Sequence, residues 1–370
     1  MKNKKILLVT RPLSPPWDEA SKNFAYNLAK NIKNFQLTIL VSERNANISR
    51  NVRQEKIYTS NSFNLKQKHN LMKYLIRTRK DFDIVHYIFT PTKLNSFLIK
   101  YFAKHKNAKT IQTIATIRED LFSDKQLKKL IFGDVLATYS EYARKKLNNI
   151  GLDHVQHVYP GVDLDVYFPT QKNLKLMSEW KITPDDFIIS YPGEYTRLGA
   201  TNDIVKSIPK IFKAIQNSKF IFACRIKSEQ DAQKKDEILH IFKSKGLLNR
   251  IIFTDIFLDM PKLYNMSDVV IFPVRNMKGK FDVPLAVIEA MACEKPVVIS
   301  DLPILSEFAN EKNSVKIKRG NRQGLIDAIV SLRANDKKRQ EIGKNARQYV
   351  AKRFNIKKVS EKYQDIYEAI

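Results

Sequence analysis

Cysteine is nearly absent: Cys224 and Cys293 are the only two in 370 residues. Both stand in apolar segments and read as reduced packing residues, which excludes a disulfide-built scaffold. Glycine and proline are scarce as well, at 10 and 14 residues, so the chain is not of low complexity. No apolar run approaches the ~18–20 residues of a membrane-spanning helix. Ile6–Thr10, behind Lys2, Lys4 and Lys5, is too short for a signal-peptide core and leads into a proline-rich loop. A cytoplasmic protein is expected, with any membrane contact peripheral. Acids are the remaining shortage, 38 against 65 Lys and Arg, a net charge of +27. The imbalance is steepest in residues 1–165, with 29 basic and 14 acidic residues, against 36 and 24 in residues 166–370. Such a surplus attracts anionic partners, whether lipid, nucleic acid or phosphorylated substrate. No nucleic-acid motif accompanies the charge, so nucleic acid is not expected as a partner.

What is present is an alternation of strands and helices. The length suggests two domains, each with its own core. Ile6–Thr10 and Leu37–Val41 are short apolar runs of the kind buried on both faces of a parallel sheet. Asp83–Tyr87, Lys109–Thr113 and Val135–Thr138 continue the series, with helices between. Val158–Pro169 is rich in turn residues and marks a boundary. A second series follows: Ile188–Tyr191, Phe220–Cys224, Ile251–Phe253, Val269–Phe272 and Val297–Ile299. Gly324–Ile370 reads as charged helix. The fold class is therefore α/β, doubly wound, with parallel sheets.

Lys66–Lys80 holds six Lys and Arg and no acid. On a helix, Leu71, Leu75, Met72 and Ile76 share one face and Lys73, Arg77 and Lys80 another. An anionic membrane surface is one reading of this pattern, and an ordinary solvated helix face is the other. Asp81-Phe82-Asp83 has the spacing of a metal-binding triplet but precedes a strand, where a turn is the commoner explanation.

In open α/β sheets ligands bind beyond the carboxyl ends of the strands. Four segments of the second series meet that description. Pro192–Gly199 offers two glycines for close backbone approach and Arg197 to fork onto a phosphate, although a plain turn with an exposed Arg explains it equally. Arg225 is a second cation at a strand end. Ile256-Phe257 can hold a flat base by apolar contact. Asn276–Pro284 places Lys278 and Lys280 around Gly279 just before a helix whose first turn Pro284 suits, a natural anion site. Within that helix Glu289 is the only charge among apolar residues. Burying it alone is costly, so it either pairs structurally or grips a ligand hydroxyl.

The run Gly246–Glu307, with GLLNRIIFTDIF, LYNMSDVVIFPV and PLAVIEAMACEKPVVISDLPILSEF, resembles the family-4 retaining glycosyltransferases of the GT-B fold. Weaker likeness extends to Gly193–Gly199, to Ser140–Gly151 and to Pro160-Gly161-Val162-Asp163 with Phe168-Pro169. The resemblance implies two Rossmann-like domains, at 1–165 for the acceptor and 166–352 for the donor. It also implies a C-terminal helix, 353–370, that packs back on the first domain. A nucleotide-diphosphate sugar is the implied donor, with no metal or other cofactor. The implied acceptor is a lipid-linked or cell-surface glycan precursor at the cytoplasmic membrane face.

Matched by position, Glu289 is the second Glu of the Glu-x7-Glu motif and is implied to bind the donor ribose. Phe281 falls where the first Glu belongs, and Asp282 is the implied replacement, holding the transferred sugar. Gly193, Arg225, Phe257, Lys280, Val283, Pro284 and Leu285 complete the implied donor site, and Arg197 takes the phosphate role. The family's arginine after the first glycine is here Glu194. The acceptor side departs further: Asp18, Glu19 and Lys22 replace a glycine-rich turn, and Ala115 stands where many members carry a His. Asp18, Glu19 and Lys22 either touch an acceptor or simply begin an exposed helix. These departures leave a second reading, a non-catalytic GT-B protein that binds a nucleotide sugar or a partner.

Overall fold

The computed structural model describes residues 4–15, 17, 19–49, 51–104 and 107–370. It divides into two compact units. The first comprises residues 1–163, 279–283 and 354–370, and the second 164–278 and 284–353. The segment 279–283 is a loop of the first unit enclosed in the chain of the second.

The first unit opens with β1 (Lys5–Val9), α1 (Ala20–Asn31), β2 (Gln36–Val41), β3 (Arg53–Lys56), α2 (Leu65–Arg77) and β4 (Ile84–Ile88). Next come α3 (Lys93–Leu98), which runs on as a π-helical turn over Ile99–Ala103, β5 (Lys109–Ile114), α4 (Asp124–Leu130), β6 (Val135–Thr138), α5 (Glu141–Asn149) and β7 (Val155–His157). Its seven strands are parallel in the order β3-β2-β1-β4-β5-β6-β7. Central strands such as β4 are buried at every residue, which is why they read as unbroken apolar runs. β3 and β7 lie at the edges. Arg53–Lys56 is RQEK, with no apolar residue, and β7 has three residues, so neither carries a periodic signal. Asp83 is a turn residue: its carboxylate accepts the Lys5 N–H at 2.7 Å and its own N–H donates to Lys5 O, tying β4 to β1.

The second unit contains α6 (Leu174–Glu179), β8 (Phe187–Tyr191), α7 (Thr201–Ala214), β9 (Ser218–Phe222), α8 (Glu229–Ser244), β10 (Ile251–Phe253), α9 (Met260–Met266) and β11 (Val269–Phe272). It continues with α10 (Leu285–Ala292), β12 (Val297–Ser300), α11 (Pro303–Ser306), β13 (Val315–Ile317), α12 (Arg322–Ala334) and α13 (Asp336–Arg353). Six parallel strands lie in the order β10-β9-β8-β11-β12-β13. The second sheet has the 3-2-1-4-5-6 Rossmann order, and the first has the same order extended by β7; the order reverses between β1 and β4 in one and between β8 and β11 in the other.

The last helix, α14 (Ile356–Ala369), belongs to the first unit and packs along α1. Tyr363 and Tyr367 are its buried anchors. Tyr367 Oη lies 2.7 Å from His86 Nδ1, and His86 Nε2 lies 2.7 Å from Thr113 Oγ1, which is 3.2 Å from Tyr363 Oη. Complete burial lowers the His86 pKa to about 3, so the ring is neutral and serves this network. The returning chain is received at Val162, whose N–H donates to Phe354 O at 2.7 Å while Ile356 N donates to Val162 O. Gly161 is needed there, because a Cβ on it would stand 2.7 Å from Ile356 Cα.

Candidate active site

The crevice at a strand-order reversal is formed by the loops that leave the two diverging strands. In the second unit these follow β8 and β11. Arg275, after β11, ties them together: its N–H donates to Leu198 O, and its guanidinium forks onto both carboxylate oxygens of Asp203 on α7, at 2.7 and 2.9 Å. The pair holds Arg275 charged and raises its pKa further, chiefly through the hydrogen bond to Asp203.

The β8 loop is built over Tyr191, whose ring is fully buried beneath it. Tyr191 Oη donates to Glu194 O at 3.2 Å, and Thr201 Oγ1 donates to the same oxygen. A Cβ at Gly193 would lie 2.0 Å from Tyr191 Cζ, so only glycine lets the backbone pass over the ring. Glu194 is buried and holds two cations: Lys227 Nζ at 2.7 Å and Arg197 Nε at 3.2 Å. Arg197 is the more exposed of the two. Lys227 comes from the loop after β9, immediately before the Ser228 cap of α8. The sequence reading named Arg197 and passed over Lys227. Its signal, a Lys between a strand end and an N-cap serine, is one that many loops share. Arg225, in the same loop, is half-buried, and Phe257 after β10 is half-buried against Trp180 at 5.5 Å between ring centres.

Pro284 stands one residue before α10, in extended conformation rather than in the first turn, with Val283, Pro284 and Leu285 all buried. Glu289, one turn into α10, is also buried. Tyr264 Oη donates to its carboxylate at 3.1 Å, and Tyr167 supplies a second hydrogen bond. Burial pushes the Glu289 carboxyl up to about 7, against the opposing pull of the two tyrosines. A carboxylate set among hydroxyls in a low-dielectric site is suited to accept further hydroxyl hydrogen bonds. Neither tyrosine was legible as a partner, since both are remote in sequence.

Lys280, Asp282 and Val283 lie in the enclosed loop of the first unit. Asp282 is buried; its Oδ2 accepts the Ser140 hydroxyl at 2.8 Å and its N–H donates to Ala115 O. Ser140 is at the same time the N-cap of α5, accepting from Ala143 N at 3.0 Å. Thr116 Oγ1 donates to Lys280 O at 2.8 Å, and Gly279 supplies the left-handed backbone the loop needs, at φ +65°. Phe281 packs edge-on against the buried Tyr139, 5.3 Å between ring centres, an environment made for an aromatic ring and not a carboxylate.

Around β1, Lys22 is buried and donates to Ser14 O at 2.9 Å, holding the proline-rich loop, and Glu19 pairs with Arg11. Asp18 lies outside the described residues. Among the described residues no three His, Cys, Asp or Glu cluster as metal ligands would.

Residues 187–335 match the family model described as Glycosyl transferases group 1. The O-antigen biosynthesis glycosyltransferase WclY of Escherichia coli is 24% identical over 210 residues, 57% of this chain and 54% of WclY. The chain thus spans only about half the length of that relative. Anabaena HepE, solved in complex with UDP and glucose, superposes with TM-score 0.78 at 16% identity, covering 100% of both chains. Sucrose-phosphate synthase from Thermosynechococcus elongatus gives TM-score 0.81 at 14% identity, covering 99% of each. The fold is GT-B.

Proposed function

We propose that this protein is a retaining glycosyltransferase. It takes a sugar from a nucleotide-diphosphate sugar to a lipid-linked or cell-surface glycan precursor at the cytoplasmic face of the membrane. The observation that carries the reading is Glu289: a buried carboxylate held by two tyrosine hydroxyls, one turn inside the helix that follows a switch-point strand. Its place in a group 1 domain supports the donor role, as do the complexes of HepE with UDP and the biosynthetic role in the name of WclY.

In this reading Glu289 accepts the ribose hydroxyls. Arg197 and Lys227, held side by side by Glu194, face the diphosphate, with Gly193 allowing its approach and Arg225 adding charge. Phe257 and Leu285 give apolar contact to the base. Transfer breaks the bond between the anomeric carbon and the phosphate oxygen. Negative charge grows on the leaving diphosphate as an oxocarbenium ion develops on the sugar, so cations fixed beforehand near that oxygen lower the barrier. The same oxygen takes the acceptor's proton as the new glycosidic bond forms on the face just vacated. No protein base is then required, which suits a chain with Ala115 where many relatives carry a His. Asp282 is assigned to the hydroxyls of the transferred sugar, its carboxylate oriented by Ser140. No metal is assigned a part.

The test is a donor screen by calorimetry and single-turnover transfer. Binding of one nucleotide-diphosphate sugar, weakened roughly ten- to hundredfold by Glu289→Gln, is the expected result, since a charge-assisted hydrogen bond contributes about 1.5–3 kcal/mol. Absence of binding by any nucleotide diphosphate sinks the donor reading. The packing of Phe281 on Tyr139 favours the alternative, a nucleotide-sugar binder without transfer. Asp282→Ala separates the two: it abolishes transfer and leaves nucleotide binding intact in an enzyme, whereas a binder shows no transfer in the wild type.

A further inference from the structure

The first unit carries a groove of about 930 Å³ between α2 and the helix formed by α3 and its π-helical extension. This lies in the upper part of the roughly 300–1,000 Å³ range of small-molecule sites. Leu71, Leu75 and Ile99 form its floor, and Ile76, Leu94 and Phe102 its walls. The wall residues are about half exposed, and Leu65, Phe97 and Tyr101 beside them are exposed as well. Isolated exposed apolar residues are ordinary, but a contiguous set around a groove marks a binding surface.

The rim is cationic. Lys68, Lys73 and Arg77 line it from α2, and none of the described lining residues is acidic. The sequence explains this: there is no Asp or Glu between Glu55 and Asp81, nor between Asp83 and Glu119. The groove also has a direction. Both helices start at the carboxyl edge of the sheet, after β3 and β4, so the groove runs from Thr10 and Arg11, just past β1, down to Arg77 and Phe102. Its upper mouth therefore opens at the β1–β4 strand reversal, the position at which doubly wound sheets in general bind ligands.

An apolar trough with positive charge along its rim suits a single hydrocarbon chain ending in an anionic group such as phosphate. A flat bilayer contact needs an apolar face but no trough. The geometry points to this groove as the seat of the chain of an alkyl or isoprenyl phosphate, with the phosphate near Lys68 at the upper mouth. That this lipid is the acceptor's anchor rests on the glycosyl-transfer reading; that the groove takes such a chain does not.

The test uses the full chain and dodecyl phosphate below its micelle concentration. Inorganic phosphate, dodecyltrimethylammonium and phosphatidylglycerol vesicles serve as comparators. Dodecyl phosphate is expected to bind and raise the melting temperature, and the other two small probes are not. Ile76→Glu and Phe102→Glu, both at exposed walls, are expected to weaken it at least tenfold, and Lys68→Glu by several-fold, with UDP-sugar binding and far-UV circular dichroism unchanged. Equal binding of the ammonium amphiphile, or undiminished binding by both wall variants, overturns the proposal. So does binding to vesicles without binding to dodecyl phosphate, which indicates plain surface attachment. A dimer that the wall variants dissociate overturns it in favour of a second copy of the chain. Dodecyl phosphate binding without any UDP-sugar binding leaves the groove standing and removes the glycosyl-transfer reading. For the acceptor extension, kcat/KM is expected to fall at least tenfold in Phe102→Glu with a lipid-linked acceptor and to stay unchanged with a chainless one. An equal fall with both refutes that extension.

Discussion

The strand pairs β1–β4 and β8–β11 occupy equivalent places in two sheets that share the order of six strands, yet what surrounds them is opposite in character. Around β8–β11 the loops are pinned by charge: Arg275 forks onto Asp203, and Glu194 holds Lys227 and Arg197. Around β1–β4 the carboxyl edge opens into an apolar trough with a basic rim. One topology thus carries loops pinned by ion pairs in one unit and a greasy groove with a basic rim in the other. The strand order fixes where a ligand sits, and the loops and flanking helices decide its chemistry.

The largest effect that sharpens this contrast concerns Glu289. Its folded pKa, about 7, exceeds the ordinary 4.5, so the folded state holds the proton more tightly than the unfolded chain. The resulting stability is fully present below about pH 4.5 and is lost as pH rises through about 7, amounting to about 3 kcal/mol. Urea unfolding across that range is expected to show the slope in the wild type and not in Glu289→Gln; identical slopes refute it. Gly193→Ala comes next, at about 1–3 kcal/mol, because its Cβ meets a buried ring that has no room to turn. Thermal unfolding measures this, and an unchanged melting temperature shows that the loop is less tightly seated than described.

The two capping serines give a smaller, paired test. Each caps a helix and donates to a buried carboxylate, Ser140 to Asp282 in the first unit and Ser228 to Asp231 in the second. Ser140→Ala and Ser228→Ala are each expected to cost about 2 kcal/mol, about 1 for the N-cap and about 1 for the lost donor. A loss near 1 kcal/mol in chemical unfolding of Ser140→Ala denies that serine its second role. Smallest in stability is Arg197→Ala, with a half-exposed ion pair and an expected change of about 0–1 kcal/mol. On binding, the same variant is expected to weaken a nucleoside diphosphate about tenfold, or about 1.4 kcal/mol. A nucleoside without phosphates is the control, and an equal loss for both shows that Arg197 does not read the phosphate.

Much of this was legible in the chain. The central strands announced themselves as apolar runs because a parallel strand covered on both faces has no polar side to show. Three of the four edge strands were not: β3 is RQEK, and β7 and β13 have three residues each with a charged or polar residue at the centre, whereas β10, equally short, is all apolar and was read. Glu289 stood out because a lone charge in an apolar helix calls for a partner; that Tyr264 and Tyr167 are those partners required the fold. Lys227 escaped notice because its meaning depends on Glu194, thirty-three residues earlier. Lys66–Lys80 was visible as a basic amphipathic helix, but its groove was not, since the opposite wall comes from Lys93–Ala103.

By itself, then, the sequence determined the α/β class, the parallel sheets and the helix that carries Glu289. These follow from local periodicity and burial, which neighbouring residues write directly into the chain. Only the tertiary structure decided the company each charged group keeps. It gave the enclosed loop Gly279–Val283 to the first unit, set Asp282 on the Ser140 cap, and placed two amphipathic helices so that their apolar faces form a trough. Hydrogen bonds and grooves depend on groups brought together from distant parts of the chain, and no local pattern encodes that meeting.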